Sequence, residues 1–234
     1  MISVAIVGHG NIGTHLYNVF STANHVKVIH ISPRDLSALK EIDITFIAVP
    51  DNVIGKISSQ IKNSFVVHTS GSVNVSDLKN SGRKGVFYPL QTFTKGKAVD
   101  FSDVPICVEA ENHQDLILLE KLAKIISNRI YHIHSEQRKY IHIAAVFVNN
   151  FVNHLYTIAH DICKEHEIPY DMLRPLIKET ADKINKLSPA EAQTGPAKRN
   201  DIFTIQNHLN LLNRHQQEIY TKLTASIQNY GKKL

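Results

Sequence analysis

Ile2-Ser-Val-Ala-Ile-Val-Gly8-His9-Gly10-Asn11-Ile12-Gly13 is a short apolar run that ends in Gly-x-Gly-x-x-Gly, and Thr14-His-Leu-Tyr-Asn-Val-Phe20 follows it. The order reads as strand, tight glycine turn, helix start. Each glycine has a physical task in such a turn. Gly8 permits the sharp bend, Gly10 lets backbone approach a pyrophosphate, and Gly13 lets the new helix pack close to the strand. The unpaired N–H groups of that helix start, with their partial positive charge, face the phosphates. The stretch therefore predicts a dinucleotide site carried by Gly8, His9, Gly10, Asn11, Ile12 and Gly13.

Working outward, the next apolar run is His25–Ile31, a second strand. The residues at its end bear on the cofactor. An acidic residue there suits the ribose 2′-hydroxyl of NAD; small polar and basic residues suit the 2′-phosphate of NADP. Here Ser32-Pro33-Arg34 stand at that point, so Ser32 and Arg34 are expected to hold the 2′-phosphate of NADP (NADPH). Asp35 comes later and is expected to cap a short helix.

Ile42–Val49 is almost continuously apolar, as in a strand buried on both faces of a parallel sheet. It ends at Val49-Pro50-Asp51, and a helix is expected over about 53–61. Ser64–His68 and Gly85–Pro89 read as further strands. In open α/β sheets, ligands lie outside the carboxyl ends of the strands. Val49-Pro50, His68-Thr-Ser70-Gly71 and Tyr88-Pro-Leu-Gln-Thr-Phe93 all fall on that edge, beside the glycine turn. Strands at 106–109 and 129–134, with a helix at 112–127 between them, complete the sheet. From Ser135 the pattern is helical. The expected domains are 1–134, a Rossmann-like doubly wound α/β sheet, and 135–234, a smaller all-α domain.

The helical part opens with a predicted long helix over 136–166. Ile141, Ala144, Val148, Phe151, Leu155, Ile158 and Ile162 recur at 3,4 spacing, the pattern of a core or a dimer seam. On an ideal helix Asn149 and Asn153 fall within roughly 20° of His142, and Asn150 lies about 80° away. A helix over 171–187 with Asp171 as N-cap, a loop over 188–199 and a last helix over 201–230 follow.

Composition excludes several classes. At 234 residues the chain suits one large domain or two modest ones, without disulfide staples. Cys107 and Cys163 are far apart and form no CxxC, so they read as small buried hydrophobes. The 14 histidines include no HExxH or tight His/Cys cluster, so no metal site is expected. A net charge of +5 comes from dispersed basic residues; it suits an anionic ligand rather than nucleic acid. No apolar run reaches membrane-spanning length, and no basic segment leads an apolar one. The expectation is a cytoplasmic protein with no membrane or nucleic-acid partner.

Several separated motifs resemble one family: the GHGNIG turn, His68-Thr-Ser-Gly-Ser72, Tyr88-Pro-Leu-Gln-Thr-Phe93, His142-Ile-Ala-Ala-Val with Asn150-Phe151, and Thr194-Gly-Pro-Ala-Lys-Arg-Asn-Asp201. Together they look like proteins that join a Rossmann-like domain to a DUF2520 domain and are usually described as NADP oxidoreductases. The layout is more distantly similar to pyrroline-5-carboxylate reductases, F420-dependent NADP reductases and 6-phosphogluconate-dehydrogenase-like enzymes. The resemblance implies a helical substrate and dimerisation domain, hence a homodimer. Two departures stand out. The family pattern often has His where this chain has Tyr88, and Arg-Gly-Asp where it has Arg199-Asn200-Asp201.

Chemistry then assigns roles. Hydride transfer needs a proton donor or acceptor for the oxygen or nitrogen on the reacting carbon. Histidine titrates near neutrality, which makes His68 and His142 candidates. Tyr88 would need a lowered pKa or help from an amide. Asn150 and Thr194 are candidate hydrogen-bond donors to a developing oxyanion, and Arg199 a candidate for a substrate carboxylate or phosphate. The expected activity is NADP-dependent oxidoreduction of a small, anionic or neutral, carbonyl or imine compound. The alternative is a non-catalytic NADP(H)-binding regulator or scaffold. A deazaflavin-dependent activity is a third reading.

Overall fold

The computed structural model describes residues 1–39, 41–62 and 64–230. The chain divides into two compact units, Met1–Phe151 and Val152–Leu234.

In the first unit the described residues form seven strands: β1 (Ile2–Val7), β2 (Val26–Ile31), β3 (Ile44–Ile47), β4 (Phe65–His68), β5 (Lys84–Pro89), β6 (Ile106–Ala110) and β7 (Ile130–His132). Their order is β2-β1-β3-β4-β5-β6-β7, parallel except for the antiparallel β5–β6 pair. β1 shows why the apolar runs are continuous. Val4 and Ile6 enter one core and Val7 the other, because alternate residues face opposite sides of a sheet covered on both. Helix α1 (Asn11–Ser21) adds Leu16 and Phe20 to the first core. There Phe20, Phe46 and Phe87 meet with ring centroids 5.1–6.2 Å apart. Helix α2 (Asp51–Ser58) adds Ile54 and Ile57 to the second. Helix α3 (His113–Ile126) packs Leu119, Leu122 and Ala123 against the first core.

The chain leaves β1 for β2 on one side and resumes at β3 on the other. That switch opens a crevice at the carboxyl ends of β1 and β3. Register aligns the ends: Val7 lies opposite both Ile31 and Ile47, and Ile47 opposite His68. Hydrogen bonds carry the alignment one residue further, from Gly8 N–H to the Ile31 carbonyl (3.0 Å) and from Ala48 N–H to that of Val7 (2.9 Å). The fold is thus the Rossmann-like sheet followed by helices that the sequence predicts.

Helix α4 (Ser135–Ala145) starts where the strand pattern stops, yet it falls within the first unit. The division at Phe151 and Val152, rather than at 134 and 135, has a cause. Arg138 and Ser135 of α4 bond Glu109 on β6, and His142 bonds Tyr88 on β5. The predicted helix over 136–166 is also not uniform. Residues Val146–Phe151 are a π-helix, and α5 (Val152–Glu165) follows. The wider turn breaks the 3,4 register of the apolar stripe, and Val148 and Phe151 are exposed.

The second unit is helical: α5, a 3₁₀ turn Tyr170–Leu173, α6 (Arg174–Lys183), α7 (Pro189–Ala192), α8 (Pro196–Arg199), α9 (Ile202–Leu211) and α10 (Arg214–Asn229). Three expectations are corrected here. Helix α6 begins at Arg174 and Leu173, not Asp171, is its N-cap. A start at Asp171 would place Pro175 where an N–H must bond back to Asp171, and proline has none. The 188–199 segment is not all loop, because Pro189 and Pro196 each start a short helix. The last helix is two, since Asn213 and Gln216 form a reciprocal capping box that starts α10 afresh. In the first unit, Asp35 caps no helix; its carboxylate accepts from Ser37 N–H and Oγ in a turn. Among the described residues no helix is long and apolar enough to cross a membrane.

Candidate functional site

The glycine turn is built for a ligand at one position and for packing at two. Gly8 has φ +117°, and a Cβ there would sit 2.2 Å from the Ala48 carbonyl oxygen. A Cβ at Gly13 would sit 2.1 Å from the Gly8 oxygen. Gly10 differs: a Cβ there meets nothing within 4 Å. Its lack of a side chain is not required by this chain's own packing, which is the open cradle that close approach of a pyrophosphate needs. Gly10 is also the N-cap of α1, with no side-chain cap and no acidic residue in the first turn. Anionic phosphate fits that helix start. Ile12 packs against the first core, and Asn11 Nδ2 donates to the Phe93 carbonyl at 2.9 Å. That bond ties the turn to the end of the Tyr88–Phe93 motif.

Along the same edge, Ser32 Oγ accepts from Arg34 N–H at 3.2 Å, so the chain turns after β2. Arg34 is exposed and joins no ion pair among the described residues. Val49 lies against Gly8, and Pro50 caps α2. Ser70 Oγ accepts from Ser72 and Val73 N–H at 3.0 and 3.1 Å, closing the loop after β4. Gly71 has a specific neighbour: a Cβ there would lie 2.6 Å from Nδ1 of His142. Its missing side chain is what lets α4 approach.

His142 meets Tyr88 above that glycine. Tyr88 Oη and His142 Nδ1 are 3.0 Å apart. With Gln91, Thr92, Asn149 and Asn150 they line a cleft of about 400 Å³ whose remaining walls are aliphatic. Asn150 reaches this cleft because of the π-helix. Each π step turns the chain by roughly 80° rather than 100°, so the route from His142 to Asn150 closes near two full turns. The expected phase offset of Asn150 is removed; both Asn149 and Asn150 line the cleft. Burial pushes the Tyr88 hydroxyl up to about 12, with Cys107 and Asp51 adding and Arg138 opposing. The lowering that an acid role at Tyr88 requires does not occur; Tyr88 stays protonated.

His68 is not part of the cleft. It is wholly buried, and its Nδ1 accepts from Ser70 N–H at 3.2 Å. Burial, aided by the Arg138 charge and opposed by the Asn74 carbonyl, pulls its pKa down to about 3. A ring that stays neutral and enclosed cannot exchange protons with a ligand near pH 7, so the proton-transfer role expected of His68 is corrected to a structural one.

Sequence reasoning misses the anchor of this arrangement. Arg138 is fully buried; it pairs with Glu109 and donates to the Val73 carbonyl at 2.5 Å and to Ser135 Oγ at 3.1 Å. Glu109 also accepts from Ser135 N–H at 3.0 Å. Arg138 lies one helical turn before His142, so the clamp fixes the height of His142 over Gly71. One signal was legible: an arginine on the helix face that leads to His142.

Thr194 and Arg199 belong to the second unit. Thr194 is exposed, and Arg199 stands 4.0 Å from Asp201, itself the N-cap of α9. Asn200 has φ +54° at the end of α8. That left-handed position admits Gly or Asn, so Asn in place of Gly keeps the turn. Among the described residues no group of three or more His, Cys, Asp or Glu is placed to hold a metal.

The family model described as a domain of unknown function, DUF2520, matches residues 104–227. No curated protein matches the sequence. Among solved structures, a candidate NADP oxidoreductase from Bacteroides fragilis is 33% identical, with 97% of this chain and 98% of that one covered and a TM-score of 0.88. The Plasmodium falciparum pyrroline carboxylate reductase with NADP bound shares the fold at 12% identity, 97% and 98% coverage and TM-score 0.61. A Streptomyces aurantiacus imine reductase does so at 10% identity, 97% and 95% coverage and TM-score 0.63.

Proposed function

Since this chain belongs to the DUF2520 family, we propose that it is an NADP-dependent oxidoreductase moving hydride to or from a small carbonyl or imine compound. One observation carries the reading: the glycine turn with its open Gly10 and the Tyr88–His142 pair stand on the same carboxyl edge of one sheet. The names of the similar proteins support NADP and a reducible C=N group.

Bound NADPH supplies hydride to the substrate carbon, and NADP accepts it in the reverse direction. The chain's own residues manage the proton. His142 is the donor to the substrate oxygen or nitrogen, through Nε2–H. The Tyr88 hydroxyl accepts from Nδ1–H when the ring is cationic and still accepts from it once the Nε2 proton has gone to the substrate, so one hydrogen bond orients the ring in both states. Asn150 donates from its amide to the charge that develops on that oxygen or nitrogen. Ser32 and Arg34 bind the 2′-phosphate, and Ser70 shapes the loop beside the cofactor.

The same reading makes the protein a cytoplasmic homodimer through its helical unit. Among the described residues of Val152–Leu234, only Cys163, Ala197, Ile205 and Gln216 are buried. About 80 residues enclosing so little core need a partner surface. The groove lined by Leu155, Ile158, Ile162, Leu211, Ile219 and Leu223 is the seam.

The test is incubation with NADPH and a panel of keto acids, aldehydes and cyclic imines, followed by absorbance at the reduced nicotinamide band. Oxidation by one compound class is expected. NADPH binding without turnover by any of them is what a non-catalytic NADP(H)-binding regulator gives, and turnover only with added deazaflavin reassigns the cofactor. Arg34→Ala should weaken NADPH binding and leave NADH binding nearly unchanged; equal losses sink the 2′-phosphate role.

A further inference from the structure

The cofactor side of the glycine turn carries a feature that hydride chemistry does not use. His30, the penultimate residue of β2, donates from Nε2 to the Gly8 carbonyl at 2.8 Å. His9 stacks on it with centroids 4.1 Å apart and planes 28° from parallel. Tyr17 of α1 also stacks on His30, at 4.9 Å and 23°. Because Nε2 is committed to Gly8, a second proton on His30 must enter at Nδ1. Burial, and then the nearness of His9, hold its pKa below the ordinary histidine value, against the pull of the Gly8 carbonyl. The ring is therefore neutral near pH 7, and two stacked imidazoles share at most one positive charge readily.

The surroundings favour that charge only when an anion arrives. His9 is exposed beside the open Gly10 and shares a cavity of about 520 Å³ with His15, Lys95 and Lys97. No carboxylate lines that cavity among the described residues. Tyr17 faces His30 from α1, and Arg34 lies early in the loop after β2. In the free protein His9 opposes protonation of His30, and no carboxylate of the cavity offsets it among the described residues. Phosphates at the α1 start would reverse the local potential.

We propose that His9 and His30 form a proton-linked wall of the cofactor site, taking up a proton as the dinucleotide phosphates bind. The inference rests on the dinucleotide reading above. Affinity rises as pH falls through the pKa of the pair with cofactor bound, and levels off below the pKa of the pair in the free protein.

Equilibrium titrations with NADPH and NADH from pH 5.5 to 8.5 test this, with wild type, His9→Gln and His30→Gln. NADH is the reference because its diphosphate does not titrate in this range, whereas the 2′-phosphate of NADPH does. In wild type, binding of NADH should tighten about 5–10-fold from pH 8.5 to pH 6. Calorimetry in buffers of differing ionisation heat should report uptake of up to one proton. Whatever its affinity at pH 8.5, His9→Gln should lack the tightening of about 5–10-fold toward pH 6 that wild type shows, and take up fewer protons. His30→Gln keeps an amide donor for Gly8 and should likewise flatten the profile. Identical pH profiles in all three proteins, or proton release on binding, overturn the proposal while leaving the cofactor reading intact. Failure of wild type to bind either nucleotide overturns both.

Discussion

Tyr88 and His142 depend on one hydrogen bond, and that dependence is testable at the level of single atoms. Removing the hydroxyl in Tyr88→Phe leaves the ring packed but frees His142. Turnover of a substrate found in the panel should fall about 10²-fold with little change in NADPH affinity; an unchanged rate rules out the orienting role. His68 gives a second test, by pH. Its folded pKa, near 3, lies below the ordinary histidine value. The unfolded chain therefore takes up the proton first, and the contribution of His68 is present above about pH 6.5 and lost as pH falls toward 3. Between pH 7 and 4 this group should account for roughly 3 kcal/mol of lost stability. In His68→Asn, which keeps an acceptor for Ser70, the acid side of the denaturation profile should be shallower by about that amount. Parallel acid profiles would show that His68 is protonated without cost.

The glycine turn and α4 make predictions of their own as elements. Gly10→Ala should fold with wild-type stability, since its Cβ meets nothing, and lose NADPH affinity at least about 10-fold by obstructing the phosphates. Gly13→Ala should instead lose stability, by about 2 kcal/mol or more, because its Cβ would clash with backbone. Thermal melts beside NADPH titrations separate the two; equal destabilisation by both would show that Gly10 is also a packing position. On α4, Arg138→Met leaves the partly buried Glu109 carboxylate without its charged partner, with only the Ser135 bonds remaining. A loss of about 3–5 kcal/mol in chemical denaturation is expected. Restoring the balance with Glu109→Gln in the same chain should recover part of it.

At the scale of the whole molecule, the two units differ in how they are stabilised. The sheet unit closes two apolar cores around its strands. The helical unit leaves Phe203, Leu211 and Leu176 largely exposed in the single chain. An apolar surface of that kind on a small helical unit is expected to meet a second copy. Light scattering should give twice the 26.3 kDa chain mass, and Leu211→Glu in the groove should shift it toward one. A monomeric wild type at micromolar concentration refutes the dimer.

What the sequence determined by itself was whatever local chemistry controls. Strands, turns and crossover helices of the sheet follow from apolar runs and glycine spacing, and the glycine turn follows from three residues whose task is steric. The capping box at Asn213 and the helix-starting Pro189 and Pro196 are equally local signals. Tertiary structure alone decided the rest. Burial cannot be read from residue type, so nothing in the sequence distinguishes His68, neutral in the core, from His142, half-exposed in a cleft. The π-helix at 146–151 shifts Asn150 into phase with His142, and an ideal helical wheel cannot contain that shift. The Arg138–Glu109 clamp joins residues 29 apart in the chain. It places α4 with the sheet because a buried charge must find its partner wherever the fold provides one.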